Sequence, residues 1–263
     1  MDTARTTPRG HVQANVAQGV FLPVGAALTL ITAGKDAGVS ATKRKPTDAE
    51  MGAIADAAIP LALTPPGALF EIALRSGIVE DLDVGLRYAT TSVKLDVKYR
   101  FFHSGDDAEA SKHASIGFGA SKYLFKNPIF DLLERVKIDD FSRFDLDFPV
   151  RYSWEFKEAF AFYAGAKYQL TRFTFSEKLF QLQEDASANG APSFVGEVKS
   201  TMHYFGGSVG IMAGYKYAFV ALELNGGYFQ SSPSYFSFQT GKIEEHKVGG
   251  VTLYPAIGLV FRI

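Results

Sequence analysis

A 263-residue chain with a net charge of −1 and no cysteine excludes a disulfide framework and a thiolate metal site, and it offers no basic excess for nucleic-acid phosphates. Hydrophobic residues make up 47%, with 23 Phe, 12 Tyr and 25 Gly, yet the mean hydropathy is only +0.02. No apolar run reaches the roughly 18 residues of a membrane-crossing helix, since even Ala53 to Leu63 is interrupted by Asp56 and Pro60.

In chain order, Met1-Asp2-Thr3-Ala4-Arg5 lacks the apolar core of a secretory signal peptide, which leaves a chain that is not exported or a mature form. A first strand is predicted over 10–22. Pro46 and the capping box Thr47-Asp48-Ala49-Glu50 then open an Ala-rich helix to Ala58. Strands follow over 67–78, 81–90 and 92–103, where apolar and polar residues alternate. Phe70, Ile72 and Leu74 oppose Glu71 and Arg75; Leu82, Val84, Leu86 and Tyr88 oppose Asp83 and Arg87. In the cleanest segment Val93, Leu95, Val97, Tyr99 and Phe101 lie on one face, with Lys94, Asp96, Lys98 and Arg100 on the other.

A strand over 113–125 precedes a second helix signal, in which Asn127-Pro128 caps Ile129, Leu132, Leu133 and Val136 at helical spacing. The next strand, 142–155, sets Phe144, Leu146, Phe148, Val150 and Tyr152 against Arg143, Asp145, Asp147 and Arg151. Strands over 160–174, 201–216, 218–229 and 250–263 complete the pattern, and the stretches 176–200 and 230–249 read as exposed polar loops. The fold class is therefore an all-β, closed antiparallel up-and-down barrel of about ten strands, eight or twelve also being compatible, with short helices in its loops. No linker or repeat divides it, so residues 1–263 form one domain.

Alternation alone does not say which face is outside. A soluble barrel of the fatty-acid-binding kind shows the same period with the apolar face inward. Four features favour the transmembrane arrangement. Ten strands turning Phe, Leu, Val and Tyr inward would overfill a barrel. The polar face mixes charge with small residues (Gly85, Gly117 or Gly119, Gly165, Gly210, Ala221, Gly226), which suits a crowded lumen. Aromatic residues collect near strand ends, as in Tyr88, Tyr123, Tyr152-Trp154 and Tyr215-Tyr217. Short connections after strands two, four, six and eight alternate with long ones, the short link near Thr90-Thr91 apart.

The last segment, Val251 to Ile263, alternates to its final residue and resembles the C-terminal strand by which bacterial outer-membrane proteins engage the barrel assembly machinery. It departs from that family in ending on Ile263 where Phe is usual, with Phe261 two residues earlier. Ala4 to Gly10, and Glu71 to Gly77 leading into Asp81 to Tyr88, are similar to predicted small barrels of myxobacteria and related deltaproteobacteria. The resemblance covers most of the strand-bearing chain and implies bacterial outer-membrane localisation, with lipid and lipopolysaccharide as surroundings. Some barrels of that group resemble parts of motility or envelope-spanning assemblies, which implies envelope protein partners.

The polar face collects Glu71, Arg75, Asp83, Arg87, Lys94, Asp96, Lys98, Arg100, Arg143, Asp145, Asp147, Arg151, Lys167, Glu223 and Arg262. These could line a weakly anion-preferring, porin-like pore for small solutes or form an ion-pair network that fills the barrel. Width favours the network, because about eight strands leave room only for side chains. The five histidines, His11, His103, His113, His203 and His246, show no catalytic or metal-ligand spacing, and the pairs Asp106-Asp107 and Asp139-Asp140 read as solvated turns. No enzymatic activity, metal or cofactor is therefore expected. The reading is a structural anchor or scaffold whose loops engage partner proteins, with the narrow channel as its alternative.

Overall fold

In the computed structural model, residues 1–22, 24, 67–90, 92–124, 136–179, 195–237, 242–245 and 247–263 are described. Every named element among them is a strand: β1 (Val12–Phe21), β2 (Gly67–Val79), β3 (Leu82–Ala89), β4 (Ser92–Asp106), β5 (Ala110–Tyr123), β6 (Val136–Phe156), β7 (Phe160–Leu179), β8 (Val195–Tyr215), β9 (Ala218–Ser231), β10 (Ser234–Ser237), β11 (Lys242–Glu245) and β12 (Val248–Arg262). The order β1-β12-β9-β8-β7-β6-β5-β4-β3-β2 closes a ten-stranded barrel in which every pair is antiparallel, while β10 and β11 form a separate hairpin. Closure runs from Gln13 opposite Arg262 to Gly19 opposite Ala256, and Val12 and Ile263 exchange backbone hydrogen bonds of 2.8 Å. Each of the ten strands has a paired neighbour on both sides, and the loop-end extensions of β6 and β8 run past the partner on one side.

The turns after β2, β4, β6 and β8 share one end of the barrel with the start of β1 and the end of β12; we call it the turn end. The longer connections lie at the opposite, loop end. Tight turns place Asp81 and Lys216 at positive φ (64° and 55°).

The apolar face points outward. Leu74, Leu86, Leu95, Val150, Ile211, Leu222, Leu224 and Ile257 are all exposed, as are Trp154, Phe160, Tyr215 and Tyr217 toward the turn end. A run of outer rings crosses β5 to β8, with centroids 5.2 Å apart for Phe118–Phe148, 6.2 Å for Phe148–Tyr168 and 5.0 Å for Tyr168–Phe205. A water-soluble monomer rarely exposes an apolar patch beyond a few hundred Å², and here the apolar surface girdles the whole barrel. Hydrocarbon is the solvent this surface suits, and a closed sheet meets its requirement that every backbone group be paired. The molecule is a transmembrane β-barrel.

Three features differ from the sequence reading. Val136, assigned to a helix, begins β6, while the remainder of that helix and the one over 47–58 lie outside the described residues. The ladders β6–β7 and β7–β8 continue to Val136 opposite Leu179 and Lys178 opposite Val195, so the stretch read as a loop over 176–200 is partly strand. β6, β7 and β8 are 21, 20 and 21 residues long, about twice the 9–11 residues that span a bilayer. Their excess extends the barrel wall at the loop end. In the stretch 230–249, also read as loop, β10 and β11 pair from Ser234–Glu245 to Ser237–Lys242.

A candidate site: the filled lumen

Residues 1–7 turn away from the rim and enter the barrel. Met1, Asp2, Thr3, Ala4, Thr6 and Thr7 are buried. Nothing in the sequence pattern announces this, because the segment has no strand period and carries one acid among small polar residues. Its fixing is polar and specific. Ala4 N–H donates to Ser153 Oγ (3.2 Å), Thr7 N–H to Asp83 Oδ2 (3.0 Å), and Asn15 Nδ2 to the Met1 carbonyl (2.8 Å). The Met1 side chain joins an apolar cluster inside the barrel with Ala161, Tyr163, Met212, Phe219 and Val260.

Asp2 is the hub. Lys98 Nζ reaches its carboxylate at 3.1 Å, Arg151 Nη1 at 2.9 Å and Arg75 Nε at 3.5 Å. Arg75 also forms close ion pairs with Asp83 and Asp96. Lys98 adds Asp83 at 3.5 Å and donates to the Thr3 and Arg5 carbonyls at 3.2 and 2.8 Å. The central cations are thus satisfied jointly by strand carboxylates and by the inserted segment. Charges removed from water persist when paired and hydrogen-bonded in this way.

The remaining charges are also partnered. Arg87 pairs with Glu71 at 3.3 Å, Lys94 with Asp147 at 2.6 Å and Arg143 with Asp145 at 2.9 Å. Arg100 pairs with Asp81 at 2.5 Å, and Arg262 with Glu155 at 3.3 Å across the barrel. Lys167 donates to Gln169 (3.1 Å), and Glu223 accepts from Asn225 (2.8 Å). The sequence reading did not include Asp2, Arg5, Asp81 or Glu155. Glu155 was findable, since it continues the 143–145–147–151 parity past Ser153.

Small residues make the packing feasible. A Cβ at Gly119 would fall 2.4 Å from Lys94 Cε and 2.6 Å from Asp147 Oδ1, and one at Gly210 would fall 2.3 Å from the Tyr163 ring. Gly226 is a correction: in the alternation of β9 it lies with the outward Leu222, Leu224 and Tyr228, and Gly227 takes the inward place against Tyr204. The space left among Asp2, Arg75, Arg87, Lys94, Asp96 and Arg151 is about 20 Å³, room for roughly one water. A larger hollow of about 250 Å³ sits at the turn end, bounded by Arg5, Pro8, Glu158, Tyr217 and Arg262.

At that same end the structure gathers residues that sequence spacing left apart. Arg5 bridges Glu155, Glu158 and Asp107 at 3.3, 3.2 and 3.3 Å. Asp107 in turn faces His103 and His113. Burial acts to raise the Asp107 carboxyl pKa, but the Ser111 hydrogen bond and the charges of Arg5, His113 and His103 hold it below the ordinary value.

No protein-family profile matches the chain, and no curated protein matches it. Among solved structures, the chain is similar to the outer membrane protease OmpT from Escherichia coli at 9% identity, covering 98% of this chain and 99% of that one, with a TM-score of 0.44. Neisserial surface protein A is similar at 11% identity, 96% of each chain and a TM-score of 0.32. A major outer membrane protein from Thermus thermophilus is similar at 7% identity, 96% of this chain and 99% of that one, also with a TM-score of 0.32. The architecture itself carries the assignment: an even-stranded, antiparallel single-chain barrel with an apolar outer belt is the outer-membrane type. The chain has the architecture of a bacterial outer-membrane barrel.

Proposed function

We propose that the protein is a non-conducting outer-membrane anchor, non-enzymatic, whose loop end presents a binding surface to other envelope proteins. The observation that supports it is the inserted segment 1–7, which joins Arg75, Lys98 and Arg151 through Asp2 and leaves room for about one water at the level of those charges. The display surface is the wall of β6, β7 and β8 beyond the membrane, together with the β10–β11 hairpin. In this reading β12, closing the barrel through Val251 to Ile263, is the strand read by the barrel assembly machinery, and the outer belt meets lipid and lipopolysaccharide. A role within a motility or envelope-spanning assembly, and kinship with small myxobacterial and deltaproteobacterial barrels, belong to the same proposal.

The competing reading is a narrow, weakly anion-preferring channel, suggested by nine cations against six acids on the polar face. Asp2, Asp81 and Glu155 bring the acids to nine against ten cations once Arg5 is included, which removes most of that preference. Planar-bilayer recording separates the two. The purified chain is expected to give no steady openings. Steady openings whose ion selectivity shifts in Arg87→Glu or Arg151→Glu would establish the channel instead.

A further inference from the structure

The β4–β5 hairpin carries a group that the lumen network leaves unused. His103 and His113 stand opposite each other in register across the turn 107–109. Asp107 Oδ1 lies 3.3 Å from His103 Nε2 and 3.5 Å from His113 Nε2, and one ligand atom from each of the three residues falls within 4.8 Å of the others. Ligands held at about 2.0–2.2 Å around a tetrahedral cation are roughly 3.4 Å apart, so both His–Asp edges already have the required length. Oδ1 is also buried and receives no well-formed hydrogen bond from either imidazole, although buried acceptors are normally satisfied. The other carboxylate oxygen, Oδ2, holds Arg5 Nη2 at 3.3 Å. That is the placing of an outer partner that orients a ligating carboxylate.

We propose that His103 Nε2, His113 Nε2 and Asp107 Oδ1 form a binding site for a divalent transition-metal cation of the zinc class. Two imidazoles with one carboxylate suit zinc and its neighbours, whereas calcium and magnesium take oxygen ligands. Water or Ser111 Oγ, 2.9 Å from His113 Nε2, supplies the fourth position. His113 is 0% exposed and fixed; His103 is 40% exposed and supplies the adjustment, turning from its near-parallel stack on His113. Binding leaves the proton of His113 on Nδ1, so Arg100, 3.4 Å from that atom, shifts wholly onto Asp81. The ion would pin the β4–β5 turn to the inserted segment through Arg5.

The test uses the full chain, free of tags and stripped with chelator, in detergent, with Zn²⁺ alone added and followed by calorimetry. One equivalent is expected to bind. His103→Ala and Asp107→Asn should each weaken it more than about tenfold, Arg5→Gln by a smaller factor, and His203→Ala, on the outer face, not at all. Co²⁺ should give the visible bands of tetrahedral coordination, lost in His103→Ala. Absence of saturable one-to-one binding, or a loss below tenfold in His103→Ala or Asp107→Asn, overturns the proposal.

Discussion

Replacement of Arg75 by methionine is expected to destabilise the folded barrel by about 3–5 kcal/mol, the range for removing one partner of a buried charge pair. Arg75 serves three carboxylates, those of Asp2, Asp83 and Asp96, and Asp83 is 0% exposed. Methionine keeps the length of the aliphatic stem and removes the guanidinium, so the loss is chiefly of charge and of donors. Asp83 retains the Thr7 N–H and a 3.5 Å approach from Lys98, while Asp96 keeps no ion pair among the described residues. Asp96→Asn should cost much less, because Arg75 keeps its other two partners. Urea titration in detergent, followed by the fluorescence of the single tryptophan, Trp154, checks both. Equal and small losses would mean that water or ions reach the network freely.

The second large effect concerns the opposite face. Leu86→Arg should prevent or weaken membrane assembly by about 2–4 kcal/mol, the cost of an arginine on the lipid face near the bilayer midplane. Leu86 lies in the middle of β3, is 50% exposed, and stands between Leu74 and Leu95 of the neighbouring strands. Unfolding of the barrel from lipid vesicles measures the change. Were this face in contact with water, arginine at a half-exposed strand position would be close to neutral. The change at Arg75 and the change at Leu86 thus probe the two faces of one alternation with opposite chemistry.

How far the sequence disclosed this arrangement depended on where its period was clean. From Val93 to Phe101, charged and apolar residues alternate without a gap, and Lys94, Asp96, Lys98 and Arg100 all enter the ion-pair network or border it. The period runs unbroken through the paired glycines of β9, and counting from Glu223 puts Gly227, not Gly226, on the inward face. It is diluted between 176 and 200, where Ser, Gly, Gln and Glu crowd the sequence, which hid the extensions of β7 and β8. The β4 bulge between Arg100 and Phe102 shifts the parity and brings His103 opposite His113. That juxtaposition becomes visible only when the hairpin is folded. Segment 1–7 carried no signal, since its fit rests on Asp2 meeting three cations drawn from three separate strands. Function followed the same boundary: alternation disclosed a wall, and what fills it came from tertiary contacts.

Residues 1–7 occupy the lumen of a membrane-spanning barrel. The chain has no cysteine, so a single thiol reports on any chosen position. Thr3 is 3% exposed and close to cysteine in size, while Glu80, in the β2–β3 turn, is exposed. Thr3→Cys and Glu80→Cys in liposomes would be treated with a membrane-impermeant maleimide from both sides. Prompt labelling is expected at position 80 and none at position 3 until the barrel is unfolded. Equal labelling rates at the two positions in the folded protein would contradict the placement of residues 1–7 in the lumen.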